Sequence, residues 1–188
     1  MVINVGQADT DPIVRKALAI GADEAIRVDA DPADSYFVAK QIAHFAQAGG
    51  YDLILCGRET IDYNGAQVGT MVAELLGQPF VGGVNKLDLN GTEATMSREV
   101  DGGKEVVSAN LPLVASVQEG ITEPRIPTMR GIMSARTKPL QVEQVVVDEQ
   151  FTHHKLYEPP RPKSDCKYVD PENVGELVRL LHEEAKVI

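Results

Sequence analysis

Three times in the first 77 residues a short apolar run gives way to a stretch of helical spacing and then to glycine. Val2 to Val5 reads as a buried strand. Asp11-Pro12 then supplies an N-cap followed by proline at the first helical position. Ile13, Val14, Ala17, Leu18 and Ile20 continue at helical spacing, and Gly21 stops the run. Glu24–Val28 is the second strand, and Asp31-Pro32 opens a second helix through Phe37, Ile42 and Phe45 to Gly49-Gly50. Tyr51–Gly57 (YDLILCG) is the third strand, apolar enough for a parallel strand covered on both faces. A third helix is expected from about Gly65 to Leu76, with Val68, Val72, Leu75 and Leu76 on one face and Gly77 as its stop. Strands that alternate with helices across short loops predict a parallel, doubly wound α/β sheet. On such sheets ligands bind beyond the carboxyl ends of the strands.

From Val81 the period changes from helical to alternating. VNKLDL and TEATMSREV flank Asn90-Gly91, a strong hairpin signal, and Asp101–Gly103 (DGG) makes the next turn. KEVVSANLPLVASV supplies further strands, so antiparallel strands extend the parallel core. Ile121–Pro139 has three prolines, several arginines or lysines and little periodicity. Gln141 to Lys167 reads as an extended, proline-punctuated arm. Asp170-Pro171-Glu172 then caps a last helix, with Val174, Leu177, Val178 and Leu181 at i, i+3, i+4 and i+7. The expected organisation is an α/β domain over residues 1–120, a distinct segment over 121–139, and an arm and helix over 140–188.

The net charge of −10 and pI near 4.8 argue against a nucleic-acid backbone or an anionic membrane as partner. They leave a nucleotide open, because helix N–H groups hold phosphate without lysine. Cys56 ends an apolar run and reads as a small hydrophobe, and Cys166 lies far from it, so neither a disulfide nor a metal site is expected. His153-His154 has no further ligand at metal spacing. No apolar run approaches the roughly 20 residues of a membrane span. Met1 sits directly on a strand, without a secretory n-region or a transit helix, so the chain is expected to be a fragment or to start late.

The stretch LCGRETIDYNGAQVG, Leu55–Gly69, follows the third strand and combines polar side chains with glycines. A helix N-terminus there would offer unpaired N–H groups and partial positive charge. Gly57 and Gly65 would let a ligand approach the backbone, while Asp62, Asn64 and Gln67 could cap the turn or bond a ribose and phosphate. A plain polar βα loop with an Asn cap fits the same residues. Neither the dinucleotide fingerprint nor a P-loop is present.

GRETIDYNGAQVG closely resembles the nucleotide-binding signature G-K/R-x-x-I-D-x-x-x-x-Q-x-G of electron transfer flavoprotein β subunits. SREVDGG (Ser97–Gly103), EPRIPTMRGIMSAR (Glu123–Arg136) and ALAIGADEAIRV (Ala17–Val28) are similar to three further segments of that family, in family order. The resemblance implies an electron-carrying α/β heterodimer, not a hydrolase or transferase. The α subunit would hold most of the redox FAD. This chain would bind a structural AMP and dock acyl-CoA and related dehydrogenases, with electrons passing on to a membrane quinone oxidoreductase. The family's extra N-terminal strand–helix unit, with an Asn-Pro-acidic motif, is not in this sequence. That unit would complete the adenine pocket and place an aromatic side chain near the flavin.

Carried over by position, AMP would be bound by Val5 and by Gly57, Arg58, Glu59, Thr60, Ile61, Asp62, Tyr63, Asn64, Gly65, Ala66, Gln67 and Val68, with the backbone N–H groups of Asn64–Val68 on the phosphate. The family often carries a further acidic residue near the places of Tyr63 and Gly65. Glu99 is either a solvent-facing strand residue or, by the resemblance, a partner for an arginine on the α subunit's mobile flavin domain. Glu123, Pro124, Arg125, Thr128, Met129, Arg130, Ile132 and Met133 would form the dehydrogenase-recognition loop within residues 121–139. Met129 would be its hydrophobic anchor, although an ordinary core methionine fits the residue type too. Arg125, Arg130, Arg136 and Lys138 could steer an acidic partner. The arm and helix over 140–188 would pack on the α subunit. Two other readings stand beside this one: a bifurcating family member with a second FAD in place of AMP, and a stand-alone ATP-binding module of the universal-stress type. The resemblance places the protein in the bacterial cytoplasm or, in a eukaryote, in the mitochondrial matrix.

Overall fold

The predicted strand–helix units are present in the computed structural model, which describes residues 1–61, 64–146, 149–163 and 165–188. Strand β1 (Val2–Val5) leads through a 3-10 turn at Ala8–Thr10 into α1 (Asp11–Ile20). Pro12 lies in the first turn of α1, where its missing N–H costs nothing, and Gly21 closes the helix at φ 142°. Val14 and Leu18, four residues apart, are the two α1 side chains that are fully buried. Strand β2 (Ala25–Val28) follows, then α2 (Ser35–Gly49), β3 (Leu53–Gly57) and α3 (Val68–Leu76).

Several helix starts differ from the sequence expectation. At α1 the N-cap position is Thr10, and Asp11, expected there, is the first residue inside the helix. Helix α2 begins at Ser35 and not at Asp31-Pro32, because Asp34 is the extended residue whose carboxylate accepts the Phe37 N–H at 2.7 Å. Helix α3 begins at Val68 and not near Gly65, because Asn64 and Ala66 take φ of 50° and 52°, which a right-handed helix does not admit.

The second half supplies β4 (Phe80–Asn90), β5 (Glu93–Val100), β6 (Gly103–Asn110), β7 (Leu113–Val117), the short helix α4 (Met129–Ala135) and β8 (Leu140–Glu143). Both hairpin turns fall where the sequence places them, with Asn90 opposite Glu93 and Val100 opposite Gly103. The segment read as lacking periodicity contains α4, whose start is capped by Thr128 Oγ1, the acceptor of the Gly131 N–H at 3.1 Å. Seven residues are too few to print a period.

The strands form two sheets, β1-β2-β8, all parallel, and β3-β7-β4-β5-β6. In the second sheet β3, β7 and β4 are parallel and β4-β5-β6 antiparallel, so a parallel core is extended by antiparallel strands in an open α/β fold. Strand β4 serves both halves. It pairs with β7 through Phe80 and Val81, shifts register around Gly82-Gly83, meets β7 again at Val84, and pairs with β5 from Val84 onward. Strand β3 pairs only with β7 among the described residues, which leaves it less covered than its apolar run predicts: Leu55 is half exposed.

Helix α2 serves both sheets. Phe37 packs with Val5, Ile26 and Val28, whereas Ala39 packs with Val72, Ala73 and Val114. Met96 and Leu113 centre a third cluster under the hairpins. Each such fully buried side chain contributes about 1.5–3 kcal/mol. Of the arm expected beyond residue 140, the first part is tied to the core. Strand β8 pairs with β2, Val146 N donates to Gln41 Oε1, and the N–H groups of Phe151 and Thr152 donate to Asp34 Oδ2.

The chain divides into two compact units, Met1–His153 and His154–Ile188. In the second unit, α5 (Val174–Arg179) continues into a π-helical turn at Leu180–Glu184. Its cap is Asn173, whose side chain accepts the Glu176 N–H. Asp170 instead turns the preceding chain by accepting from Glu172 N, so the expected cap shifts by three residues. No helix among the described residues is long and apolar enough to cross a membrane.

Candidate functional site

At the carboxyl end of β3 the chain leaves the sheet through residues 58–67 before entering α3. Asp62 and Tyr63 lie outside the described residues. Arg58 is still held to the sheet, since its N–H donates to Val117 O of β7 at 3.1 Å and its Nη1 to Gln118 Oε1 at 3.3 Å. Beyond it Glu59, Thr60, Ile61, Asn64, Gly65, Ala66 and Gln67 are all exposed, and Ile61 is 99% exposed. Asn64 N donates to Thr60 O at 2.8 Å, so the turn has one internal brace. Left-handed Asn64 is ordinary, but left-handed Ala66 costs roughly 1 kcal/mol.

Gln67, the N-cap residue of α3, makes no side-chain cap. The first-turn N–H groups of a helix have no intrahelical acceptor, so an uncapped start is an anion site in waiting. Among the described residues, nothing lies within 4 Å of a Cβ placed on Gly57, and one on Gly65 would touch only the Gln67 side chain at 3.8–3.9 Å. Open space at both glycines fits a ligand that approaches the backbone. Gly69 is different in kind. A Cβ there would press on Phe80 at 3.1 Å and Cys56 at 3.4 Å, so this glycine serves helix–strand packing. Cys56 packs in the same cluster, and burial pushes its thiol pKa up, as for a small hydrophobe.

Val68 is half-buried at the start of α3 and also joins that core cluster. Val5, expected beside the turn, is buried at the end of β1 in the cluster with Phe37, Ile26 and Val28.

Two residues at this edge escaped the sequence reading. Gln118 contacts Arg58, and Ser116 Oγ accepts the Gly83 N–H at 3.0 Å. Both follow from β7 lying between β3 and β4, a placement with no local signature. Glu99 is exposed on β5, opposite Lys104 of β6, and Asn85 Nδ2 lies 3.5 Å from its Oε1.

The residues read as a recognition loop form a second, separate feature. Glu123, Pro124, Arg125, Thr128 and Arg130 are exposed, and they lead into or sit on α4. Met129 is 75% and Met133 66% exposed, with Ile126 and Ile132 also on the surface. Met129 is therefore no part of this chain's core. Beside α4 a groove of about 560 Å³ runs between it and α1, lined by Pro12, Ala19, Pro127, Ile132 and Ala135 and by the basic Arg15, Lys16 and Arg136. The two thioethers are adaptable, polarizable surface beside a groove that mixes apolar and basic side chains.

Residues 1–148 match the family described as electron transfer flavoprotein domain. The chain is 36% identical to the electron transfer flavoprotein subunit beta of Bacillus subtilis (strain 168), over 99% of this chain and 78% of that protein. It is 35% identical to the mitochondrial electron transfer flavoprotein subunit beta of Oryza sativa subsp. japonica, over 98% of this chain and 76% of that one. Against the electron transfer flavoprotein subunit beta of Bradyrhizobium diazoefficiens the identity is 32%, over 100% of this chain and 77% of the other.

Proposed function

The chain belongs to the electron transfer flavoprotein family, among the β subunits, and from that premise we propose how its two surface features are used. The turn at residues 58–67 holds an AMP whose role is structural. Helix α4 docks acyl-CoA dehydrogenases, and the FAD that carries the electrons is held mainly by an α subunit. A membrane quinone oxidoreductase then takes the electrons. The flavin supplies the redox chemistry, and this chain supplies binding and orientation.

For AMP, the residues of this turn fit the group: a helix start without a side-chain cap, exposed Asn64 and Gln67 side chains, and open space over Gly57 and Gly65 among the described residues. The backbone N–H groups from Gly65 to Val68 would bind the phosphate; Asn64, expected to join them, already donates its N–H to Thr60 O. A nucleotide that binds only the folded chain stabilises it. Acid extraction of the heterodimer should release one AMP beside one FAD, and two FAD would retire the reading. Glu99 would meet an arginine of the α subunit's flavin domain. An exposed pair is worth ~0–1 kcal/mol, which suits a contact that must open again.

The exposure of Met129 on α4 carries the docking reading. Truncating a methionine buried at an interface removes roughly 2–3 kcal/mol of apolar contact. Met129→Ala should therefore slow dehydrogenase-coupled flavin reduction at low carrier concentration and leave the melting temperature unchanged. An unaltered rate at every concentration refutes it.

The second unit, His154–Ile188, exposes Leu156, Tyr157, Val174, Leu177 and Val178, an apolar stripe that we assign to the α subunit. Deleting residues 154–188 should abolish co-purification with α, and undiminished recovery of the complex counts against this assignment.

A further inference from the structure

Helix α4 has seven residues, too few for a helix to persist on its own. What holds it is α1. Arg15, from α1, sends its Nη1 to Ala135 O and to Lys138 O, both at 2.7 Å. Lys138, just beyond α4, reaches the other way, and its Nζ donates to Leu18 O at 3.0 Å and Ala22 O at 2.6 Å. The last carbonyls of a helix have no intrahelical donor and carry partial negative charge. Each cation thus caps the C-terminal end of the other helix.

Between the two clasps the backbones meet directly. A Cβ on Gly131 would lie 2.4 Å from Ala19 O, so α4 rests on α1 with no room for a side chain. The Arg125 guanidinium also lies close to the end of α1, where a Cβ on Gly21 would come within 3.2 Å of its Nη1.

We propose that Arg15 and Lys138 are positioning residues for docking: their reciprocal caps, closed over Gly131, hold α4 preformed so that Met129 and Met133 meet the dehydrogenase in a fixed register. The inference rests on the docking reading of α4 and deepens it. A loop that is already ordered spares the partner the entropy of ordering it, which is a gain in affinity with no added contact. It also explains why arginine and lysine of an acidic chain are turned inward onto carbonyls here instead of outward to a partner.

The test uses the full chain in its heterodimer with the α subunit. Amide hydrogen exchange is followed in α4 and in β7, and KM and kcat for the heterodimer are measured with an acyl-CoA dehydrogenase reduced by its acyl-CoA. Lys138→Met should speed exchange in α4 but not in β7. It should raise KM about tenfold, with kcat little changed. Lys138→Arg, which keeps a donor in place, should restore both. Arg15→Lys repeats the test with a smaller disturbance, since one ammonium replaces the fork that spans two carbonyls.

Unchanged exchange in α4 overturns the clasp. Faster exchange with an unaltered KM, while Met129→Ala raises KM, overturns the positioning role and leaves a plain structural one. If Met129→Ala also leaves KM unaltered, the docking reading itself has failed and the positioning role falls with it.

Discussion

The turn from β1 to α1 and the turn from β3 to α3 occupy equivalent places at the carboxyl ends of parallel strands, yet the first is closed around a buried arginine and the second keeps its polar side chains at the surface, with Arg58 paired to Glu59 and Gln118 there. At the end of β1, Thr10 Oγ1 lies 2.9 Å from Asn4 Oδ1 and 2.8 Å from Gln7 O, and a Cβ on Gly6 would strike Thr10 at 2.8 Å. Arg27 of β2, 4% exposed, donates to Gly6 O at 2.9 Å and to Asp11 and Asp29 at 2.6 Å each. The β2–α2 turn is closed as well, by Asp34. Its carboxylate accepts from Phe37 N and Phe151 N at 2.7 Å and from Thr152 N at 2.9 Å. Neither α1 nor α3 has a side-chain N-cap, but at β3–α3 Gly57 and Gly65 face open space among the described residues. Position at a strand end is common to all three turns. What separates them is how many of their polar side chains are tied into the fold and how many stay at the surface.

Opening a closed turn should cost the fold most. Arg27→Met leaves Asp11 and Asp29 facing each other without their shared cation. The melting temperature should fall on the order of 10 °C, while nucleotide content, normalised to folded protein, stays the same. A melting temperature within a degree or two of wild type would mean that the β1–α1 turn does not depend on its ion network.

Asp34→Ala should cost about 1–2 kcal/mol, because one residue caps α2 and anchors the chain at Phe151 and Thr152. The effect should depend on pH. Burial by itself pushes the Asp34 carboxyl up, but the N–H donors of Phe37, Thr152 and Phe151 outweigh it and pull the group below the ordinary aspartate range. A folded value below the unfolded one means that the stabilisation is present above the usual aspartate pKa of about 4. It is lost as pH falls through the lower folded value. Urea unfolding of wild type and variant should therefore separate at pH 7 and converge in strong acid. A gap that does not narrow would show that the carboxylate is not the acceptor.

Gly65→Val should change stability least, within about 0.5 kcal/mol, because the added side chain meets nothing but Gln67. Its consequence should be at the ligand: AMP recovered by acid extraction should drop. Wild-type AMP content in this variant would remove the turn from the nucleotide site.

Much of this architecture was legible one element at a time. Asp11-Pro12 and Gly21 bracket α1, Asn90-Gly91 and Asp101–Gly103 turn both hairpins, and the apolar run before Gly57 is a strand. Each of these signals acts within about ten residues. The misread boundaries share a cause. At α2 and α5 two acidic or amide residues compete for one cap, and only backbone geometry decides between Asp31 and Asp34, or between Asp170 and Asn173. At α3 the start is delayed by two left-handed residues, Asn64 and Ala66, whose types do not demand that conformation. At the candidate site, the exposed connection between β3 and α3 was readable from its glycines and polar side chains. Its neighbour Gln118 was not, because nothing near Gln118 in the chain records that β7 lies beside β3.

The sequence by itself determined the alternation of strands and helices, the hairpins and the glycine stops of α1, α2 and α3, since hydrophobic period and turn chemistry are local and survive in isolation. The tertiary structure alone decided that β7 slots between β3 and β4, that β8 joins β2, and that Arg15 and Lys138 cap each other's helices across more than a hundred residues. Short apolar strands are nearly interchangeable as partners. Which edges meet is settled by the summed burial of whole faces and by the handedness of the crossovers, quantities that no window of sequence contains.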